Sequence, residues 1–270
     1  MFTADNITIK IRSKEIVKDA SLHIPEATVA IFIGSNGSGK TTTIRGITGL
    51  IPLASGKSSL SGENRRKKLG LSIGAEYLPH QMRVCDFLSF THDKSLTDFS
   101  NTLLDSCGMS PYTKRPIGKL SMGMKQKISI CSALRYQPEN IILDEPHNGL
   151  DPESIGWLNT VIQDQKKQGS SLLISSHLLK EVSDVGDMAY RIQDKKISHT
   201  PWPPPQNKEA LQNQLIIEVE EALRFAGFLE NFGVPHQVID ERRLEITWNV
   251  RDVLRLGRER EFFIENIIWK

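Results

Sequence analysis

Residues Ile31-Phe32-Ile33-Gly34-Ser35-Asn36-Gly37-Ser38-Gly39-Lys40-Thr41-Thr42 carry an apolar strand straight into a glycine-rich loop that closes on a lysine and a hydroxyl. This is the spacing of a P-loop, which needs a strand before it and a helix after it. Gly34, Gly37 and Gly39 admit backbone conformations that a Cβ opposes, so successive N–H groups can turn inward and line a concavity for an anion. A helix opening near Gly39 aims the positive end of its dipole at the same point, and Lys40 adds a charge that reaches the β- and γ-phosphates of a nucleotide. Thr41 supplies a hydroxyl for Mg²⁺. Gly34, Ser35, Asn36, Gly37, Ser38, Gly39, Lys40, Thr41 and Thr42 are therefore the candidate phosphate cradle.

At 270 residues the chain fits one large or two modest domains. Charged residues make up 24% but the net charge is only +2, so no strong field argues for nucleic acid or an acidic membrane surface. The basic run Arg65-Arg66-Lys67-Lys68 reads as a solvated turn. Cys85, Cys107 and Cys131 are widely spaced and odd in number, unlike a zinc or redox signature, which suits a reducing compartment and a packing role. No basic segment followed by an apolar one opens the chain, and no window reaches the apolar length that crosses a bilayer. The chain is expected to be soluble and to reach a membrane through another protein.

Short strands are expected at Asn6 to Ile11, Ala20 to Ile24 and Thr28 to Ile33, then a helix over roughly Lys40 to Leu50. A turn follows at Ile51 to Lys57, then another short strand pair. From Met82 the spacing becomes helical: Leu96, Phe99, Leu103, Leu104 and Cys107 share a face, Gly108 stops the run, and a further helix follows Leu120-Ser121. Asn140 to Asp144 is an apolar strand ending in the carboxylates of Asp144 and Glu145, with Pro146 stopping its continuation. Helix Pro152 to Lys167 leads to strand Ser171 to Ser175 and then to His177. Strands alternating with helices imply a mainly parallel sheet whose ligands bind beyond the strands' carboxyl ends, where Lys40, Asp144, Glu145 and His177 all fall.

Pro201-Trp202-Pro203-Pro204-Pro205 breaks the pattern and reads as a semi-rigid linker. Beyond it come strand Gln214 to Val219, helix Glu221 to Asn231, strands Gln237 to Ile239 and Leu244 to Trp248, helix Val250 to Glu259 and strand Phe262 to Trp269. That order is a split βαβ, a ferredoxin-like module. The expected domains are 1–200, with a helical lobe at about 82–139, a linker at 201–207 and a small α+β domain at 208–270. The fold class is α/β: a P-loop NTPase core with a mainly parallel sheet, N-terminal antiparallel strands and an inserted helical lobe, followed by that appendix.

The chemistry rests on what accompanies the P-loop. Asp144 suits a Walker B carboxylate that holds Mg²⁺ with Thr41, while Glu145 is free to polarise a water. Leu120-Ser121-Met122-Gly123-Met124-Lys125-Gln126-Lys127 resembles the signature of ATP-binding cassette (ABC) proteins. In residue terms Ser121 can cap the following helix and Gly123 exposes backbone near its start, giving a second anion-binding end. The order along residues 34 to 177 resembles the ABC ATPase subunits throughout: P-loop, helical lobe, signature, Leu143-Asp144-Glu145-Pro146, Asn148-Gly149-Leu150-Asp151 like the family's D-loop, and His177 like its switch histidine.

The resemblance implies a head-to-tail dimer that sandwiches ATP, with Ser121 and Gly123 contacting a γ-phosphate bound by the partner's Lys40. It also implies Glu145 as general base or water-orienting group, a role worth on the order of 10²–10⁴ in rate, and His177 as γ-phosphate sensor. A lone cassette with a small appendix, together with Met82 to Leu88 and Ser121 to Gln126, is similar to the subunits paired with separately encoded ABC-2 export permeases. Implied partners are a transmembrane permease and a second ATPase subunit, the same or different. The implied cofactors are ATP and Mg²⁺, the place is the cytoplasmic face of the membrane through the permease, and no nucleic acid is expected.

Two positions depart from the family pattern. Near Ile11, where many members carry an aromatic that stacks on adenine, there is only an aliphatic residue. Gly74 stands where a glutamine usually reaches the metal, with Glu76 and Gln81 both open as substitutes. The alternative function is a soluble ABC ATPase acting as a mechanical switch on ribosome or DNA. Its usual two cassettes or long coiled coil are not found in this sequence. A non-hydrolysing regulatory module is the third reading, against which stand Lys40, Asp144, Glu145 and His177.

Overall fold

A computed structural model of the chain describes residues 1–60, 69–89, 98–177, 179–200, 202, 213–219, 222–230, 236–248 and 264–269. The chain divides into two compact units, Met1–Pro204 and Pro205–Lys270.

In the first unit a six-stranded sheet runs in the order β5 (Leu69–Ser72), β6 (Asn140–Asp144), β7 (Ser171–Ser176), β3 (Val29–Ile33), β8 (Met188–Gln193), β9 (Lys196–Thr200). The first five are parallel, and β9 is antiparallel to β8. A parallel sheet is covered on both faces, so its strands read as unbroken apolar runs. Alternate side chains of β3 make the point: Val29, Ile31 and Ile33 enter one core, Ala30 and Phe32 the other. Ile141 and Leu143 of β6 divide from Ile142 in the same way, as do Leu172 and Ile174 of β7 from Leu173.

One face carries α1 (Lys40–Ile47), which buries Ile44 and Ile47 among residues of a three-stranded antiparallel sheet ordered β2 (Lys14–Ile24), β1 (Phe2–Ile11), β4 (Ser55–Ser58). The other carries α2 (Val84–Ser89), α3 (Asp98–Ser106), α4 (Met122–Leu134) and α5 (Pro152–Lys167), whose buried Val84, Leu104, Ile130 and Leu158 belong to the second core. Among the described residues the strands expected as a pair after Lys57 are not paired with each other. β4 joins β1 and β5 joins β6, so the two strands lie in different sheets. The run Arg65 to Lys68 and Leu96 fall outside the described residues.

The second unit is a four-stranded antiparallel sheet in the order β11 (His236–Val238), β12 (Arg243–Trp248), β10 (Asn213–Val219), β13 (Ile264–Trp269). Placing the first and third strands at the centre is the topology of a split βαβ. Helix α7 (Ala222–Glu230), numbered after a short α6 (Leu179–Val182), buries Ala222, Phe225, Ala226 and Leu229 at helical spacing. The helix expected at Val250 to Glu259 lies outside the described residues. Among the described residues no helix is long and apolar enough to cross a membrane.

Candidate nucleotide site at the carboxyl edge of the parallel sheet

Parallel register brings distant motifs to one edge. Ile33 pairs with Ser176 and Asp144 with Ser175, so the segments leaving β3, β6 and β7 emerge side by side. Gly34 to Gly39, Glu145 and His177 are those segments.

The phosphate loop is shaped by what glycine leaves out. A Cβ on Gly34 would stand 2.5 Å from Ser38 Oγ and 2.6 Å from Ile192 Cγ2. Gly39 takes φ 109° and is the N-cap of α1, yet no side chain caps that helix. Its first amides are left to a ligand. Ser38 Oγ is buried with no hydrogen-bond partner among the described residues, an orphan hydroxyl inside the cradle that a phosphate oxygen would satisfy. Ile16, which the motif did not point to, packs on the same glycine: its Cγ2 would lie 2.7 Å from a Cβ there.

Lys40, 6% exposed, donates from Nζ to Gly34 O at 2.7 Å and pairs with Glu145 Oε1 at 3.1 Å. The other carboxylate oxygen of Glu145 meets His177 Nδ1 at 2.7 Å. Glu145 thus bridges the P-loop lysine and the histidine after β7. Its backbone sits at φ 48°, the left-handed region that costs a side-chain-bearing residue roughly 1–3 kcal/mol. What holds it there is polar: its N–H donates to Ser175 Oγ at 2.8 Å, and Gln126 Nε2 donates to the carbonyls of Pro146 at 3.2 Å and Glu145 at 3.4 Å.

Asp144 is buried at the end of β6. Its Oδ2 accepts from Thr41 Oγ1 at 2.6 Å and its Oδ1 from Ser175 Oγ. Burial pushes its carboxyl above the usual value, against the hydrogen bonds from Ser175 and Thr41. A carboxylate penalised by desolvation beside a hydroxyl oxygen is a hard donor set that a divalent cation fits.

Ser121 and Gly123 lie elsewhere, at the N-terminus of α4. Ser121 Oγ accepts from Met124 N–H at 3.2 Å, and a Cβ on Gly123 would stand 2.8 Å from Gly149 O. The signature therefore packs on the loop that follows Glu145. Gly74 (φ +119°) extends from the carboxyl end of β5, and the Glu76 carboxylate occupies the space where its side chain would be, whereas Gln81 is exposed. Ile11 is 44% exposed.

Three supporting residues escaped sequence reasoning. Gln126 is a buried amide that stands in the signature stretch but was given no role of its own there, on the face of α4 shared by Ile130 and Ala133. Ser175 left no signal beyond its place in an apolar strand. His147 is buried, with Nε2 3.2 Å from Asn159 Oδ1 and burial pushing its imidazole below the usual value. Asn159 in turn donates to Glu181 O at 3.4 Å, linking the turn after β6 to α6.

The loop amides, Lys40, Thr41, Asp144, Glu145 and His177 thus meet at one edge of the sheet, and comparison with known proteins says which family builds such an edge. The profile of the ABC transporter family matches residues 17–148. A lantibiotic transport ATP-binding protein of Streptococcus pyogenes is 32% identical over 226 residues, covering 81% of this chain and 99% of the relative. A bacitracin transport ATP-binding protein of Bacillus licheniformis is 33% identical over 203 residues, 68% of this chain and 64% of the relative. Among solved structures, an ATP-binding subunit of an ABC transporter superposes with a TM-score of 0.65 at 22% identity, covering 75% of this chain and 90% of that one, a likeness of fold. The chain belongs to the ABC transporter family. It is an ATP-binding, ATP-hydrolysing transporter subunit, and nothing favours the soluble switch on ribosome or DNA. That membership implies a membrane permease as partner.

Proposed function

We propose that this edge binds Mg²⁺-ATP and that the chain's residues divide the work as follows. The loop from Gly34 to Thr42 takes the phosphates with its amides and Ser38 Oγ, and Lys40 takes the β- and γ-phosphates. Thr41 and Asp144 would hold Mg²⁺, which when bound offsets the charge of the phosphate oxygens. The observation that carries this reading is the bridge of Glu145 between Lys40 and His177. An entering γ-phosphate competes with the Glu145 carboxylate for Lys40, because both are anions seeking one buried ammonium. Released from Lys40, Glu145 orients or deprotonates the attacking water, and His177 stays beside the γ-phosphate.

The site is completed by a second subunit. The N-terminus of α4, where Ser121 is exposed, contacts with Ser121 and Gly123 the γ-phosphate held by the partner's Lys40, so ATP closes a head-to-tail dimer and hydrolysis lets it open. This cycle drives a permease from the cytoplasmic face of the membrane in the direction of export. Similarity to the ABC-2 type in two stretches, and relatives named for lantibiotic and bacitracin transport, support that direction. The domain limits 1–200, 201–207 and 208–270 are proposed as functional boundaries, with the last as an accessory module.

The test is Mg²⁺-dependent ATP hydrolysis against protein concentration, with Glu145→Gln as control. Turnover rising faster than linearly in the parent chain, and absent from the variant, is expected. Hydrolysis strictly linear in concentration would remove the shared site, and a fully active Glu145→Gln chain would remove Glu145 from the mechanism.

A further inference from the structure

Two of the three cysteines, unremarkable by spacing, meet in the folded chain. Cys107 follows the last turn of α3 and Cys131 lies in α4, 24 residues on, with their sulfurs 3.8 Å apart in a buried contact. We propose that Cys107 and Cys131 form a reversible disulfide that ties the end of α3 to the signature helix, making the helical lobe a site of oxidative modification.

The distance to be closed is small. A disulfide has an S–S length of about 2.05 Å, so a side-chain adjustment of roughly 2 Å brings the sulfurs to bonding distance. The two thiols are not equivalent. The hydrogen bond shared with Cys131 holds the Cys107 thiol below its usual range against the opposing effect of burial, with smaller help from Met109 N–H and the Lys127 charge. The same hydrogen bond, and then burial, push Cys131 well above it. Cys107, just beyond the end of α3, is placed to be the attacking sulfur, and Cys131, inside α4, the resolving one. Lys127 also fixes the corner, donating from Nζ to Cys107 O at 3.1 Å. Access comes from the end of α3, where Gly108 turns the chain at φ +71°, since helix ends open before cores do.

The oxidant is a small-molecule disulfide. The Cys107 thiolate attacks one of its sulfurs, that S–S bond breaks, and one thiolate leaves. Cys131, giving up its proton to solvent, then attacks the Cys107 sulfur and expels the second thiolate. The protein loses two electrons and two protons, and the small disulfide becomes two thiols. The closed form joins α3 to α4 where Trp157 Nε1 on α5 already donates to Ser106 Oγ at 3.0 Å, so two helices of the lobe and α5 outside it become one braced unit.

The full-length chain is incubated under native conditions with oxidised glutathione, and intact mass, denatured thiol count and a non-reducing peptide map are recorded. The expected result is a fall from three free thiols to one, Cys85 remaining, a mass lower by the two hydrogens with no retained glutathione, a cross-linked peptide pair containing Cys107 and Cys131, and reversal by dithiothreitol. Closing a loop of this length also raises the unfolding midpoint of the oxidised form by about 5–10 °C. Cys131→Ser is expected to stop at a glutathione adduct on Cys107. Persistence of three thiols, a stable adduct on the parent chain, or pairing through Cys85 overturns the proposal. The peptide map of the parent chain decides it even where a variant does not fold.

Discussion

Three helices in this chain begin at loops that carry family motifs, and they are finished in different ways. α5 is complete in itself: Asp151 accepts from Ser154 N–H at 2.8 Å, Pro152 occupies the first turn, and Glu153 adds negative charge where the dipole favours it. α1 is the opposite. Its N-cap Gly39 has no side chain, its first turn holds no acid, and Lys40 and Thr41 add a cation and a donor to amides already exposed. α4 lies between them, with the neutral cap of Ser121 and no acid in its first turn. A helix that only has to be stable satisfies its own first turn. One that must receive an anion leaves it unsatisfied, and α4 keeps a modest cap that a second subunit's phosphate could share.

The sharpest way to break that contrast is at the residue closing the open end. Glu145→Gln is expected to lower turnover by on the order of 10²–10⁴ while tightening ATP binding, because Lys40 loses its competing carboxylate. Single-turnover hydrolysis and calorimetric titration read the two effects separately, and weaker ATP binding by the variant would show that the Lys40 pair does not oppose the phosphate. Lys40→Met removes the cation itself. A charged hydrogen bond is worth roughly 1.5–3 kcal/mol, so ATP affinity should fall about 10- to 150-fold.

How much of this was legible follows from how local each feature is. β6 and α5 were readable because their signals are contiguous: an apolar run ending in two carboxylates, and an Asp-Pro start followed by helical spacing. β1 and β2 extend beyond their expected ends because the left-handed residues Asn6 and Asp19 and shifts of register between Ala4 and Lys10 break the alternation that a reader of sequence looks for. The separation of β4 from β5 was invisible, since nothing in two short strands says which distant neighbour each will join. The same holds in the site. Lys40, Asp144, Glu145 and His177 each stand at the end of a recognisable strand or loop, and the sheet brings them together. Ser175, Gln126 and His147 act through single atoms whose direction is set by packing between elements, and the proximity of Cys107 to Cys131 is of that kind too.

The capped end gives a smaller effect. Ser121→Ala removes the bond to Met124 N–H and should cost about 1 kcal/mol, a fall of roughly 2–4 °C in unfolding midpoint for a unit of this size. In dilute protein, ATP affinity should not change, since in the proposed arrangement α1 takes the nucleotide of its own chain. The concentration-dependent part of turnover should fall if, as proposed above, α4 serves the nucleotide of the partner. A loss of affinity in dilute protein would erase the distinction between the two helix ends.

The smallest effect concerns the carboxylate beside the open end. Asp144 is held above the ordinary carboxylate value by burial, so over the interval between its ordinary and raised values the folded chain binds more protons than the unfolded one. The stability tied to that proton is fully present below the ordinary value, 3.8, and is lost as pH rises through the raised one. At neutral pH the nucleotide-free chain therefore carries a desolvation penalty that Asp144→Asn removes. The Thr41 hydroxyl, now the donor to Asp144 Oδ2 at 2.6 Å, can turn to accept from the amide, so the hydrogen bond survives the change. Without nucleotide the variant should unfold at a higher temperature than the parent at pH 7, with the gap narrowing as the pH is lowered toward 4. With Mg²⁺-ATP the order should reverse, because in the proposed arrangement the charge that costs stability without nucleotide is the one that would hold the cation. A variant less stable than the parent at neutral pH without nucleotide would mean that the bonds from Thr41 and Ser175 already compensate the buried charge.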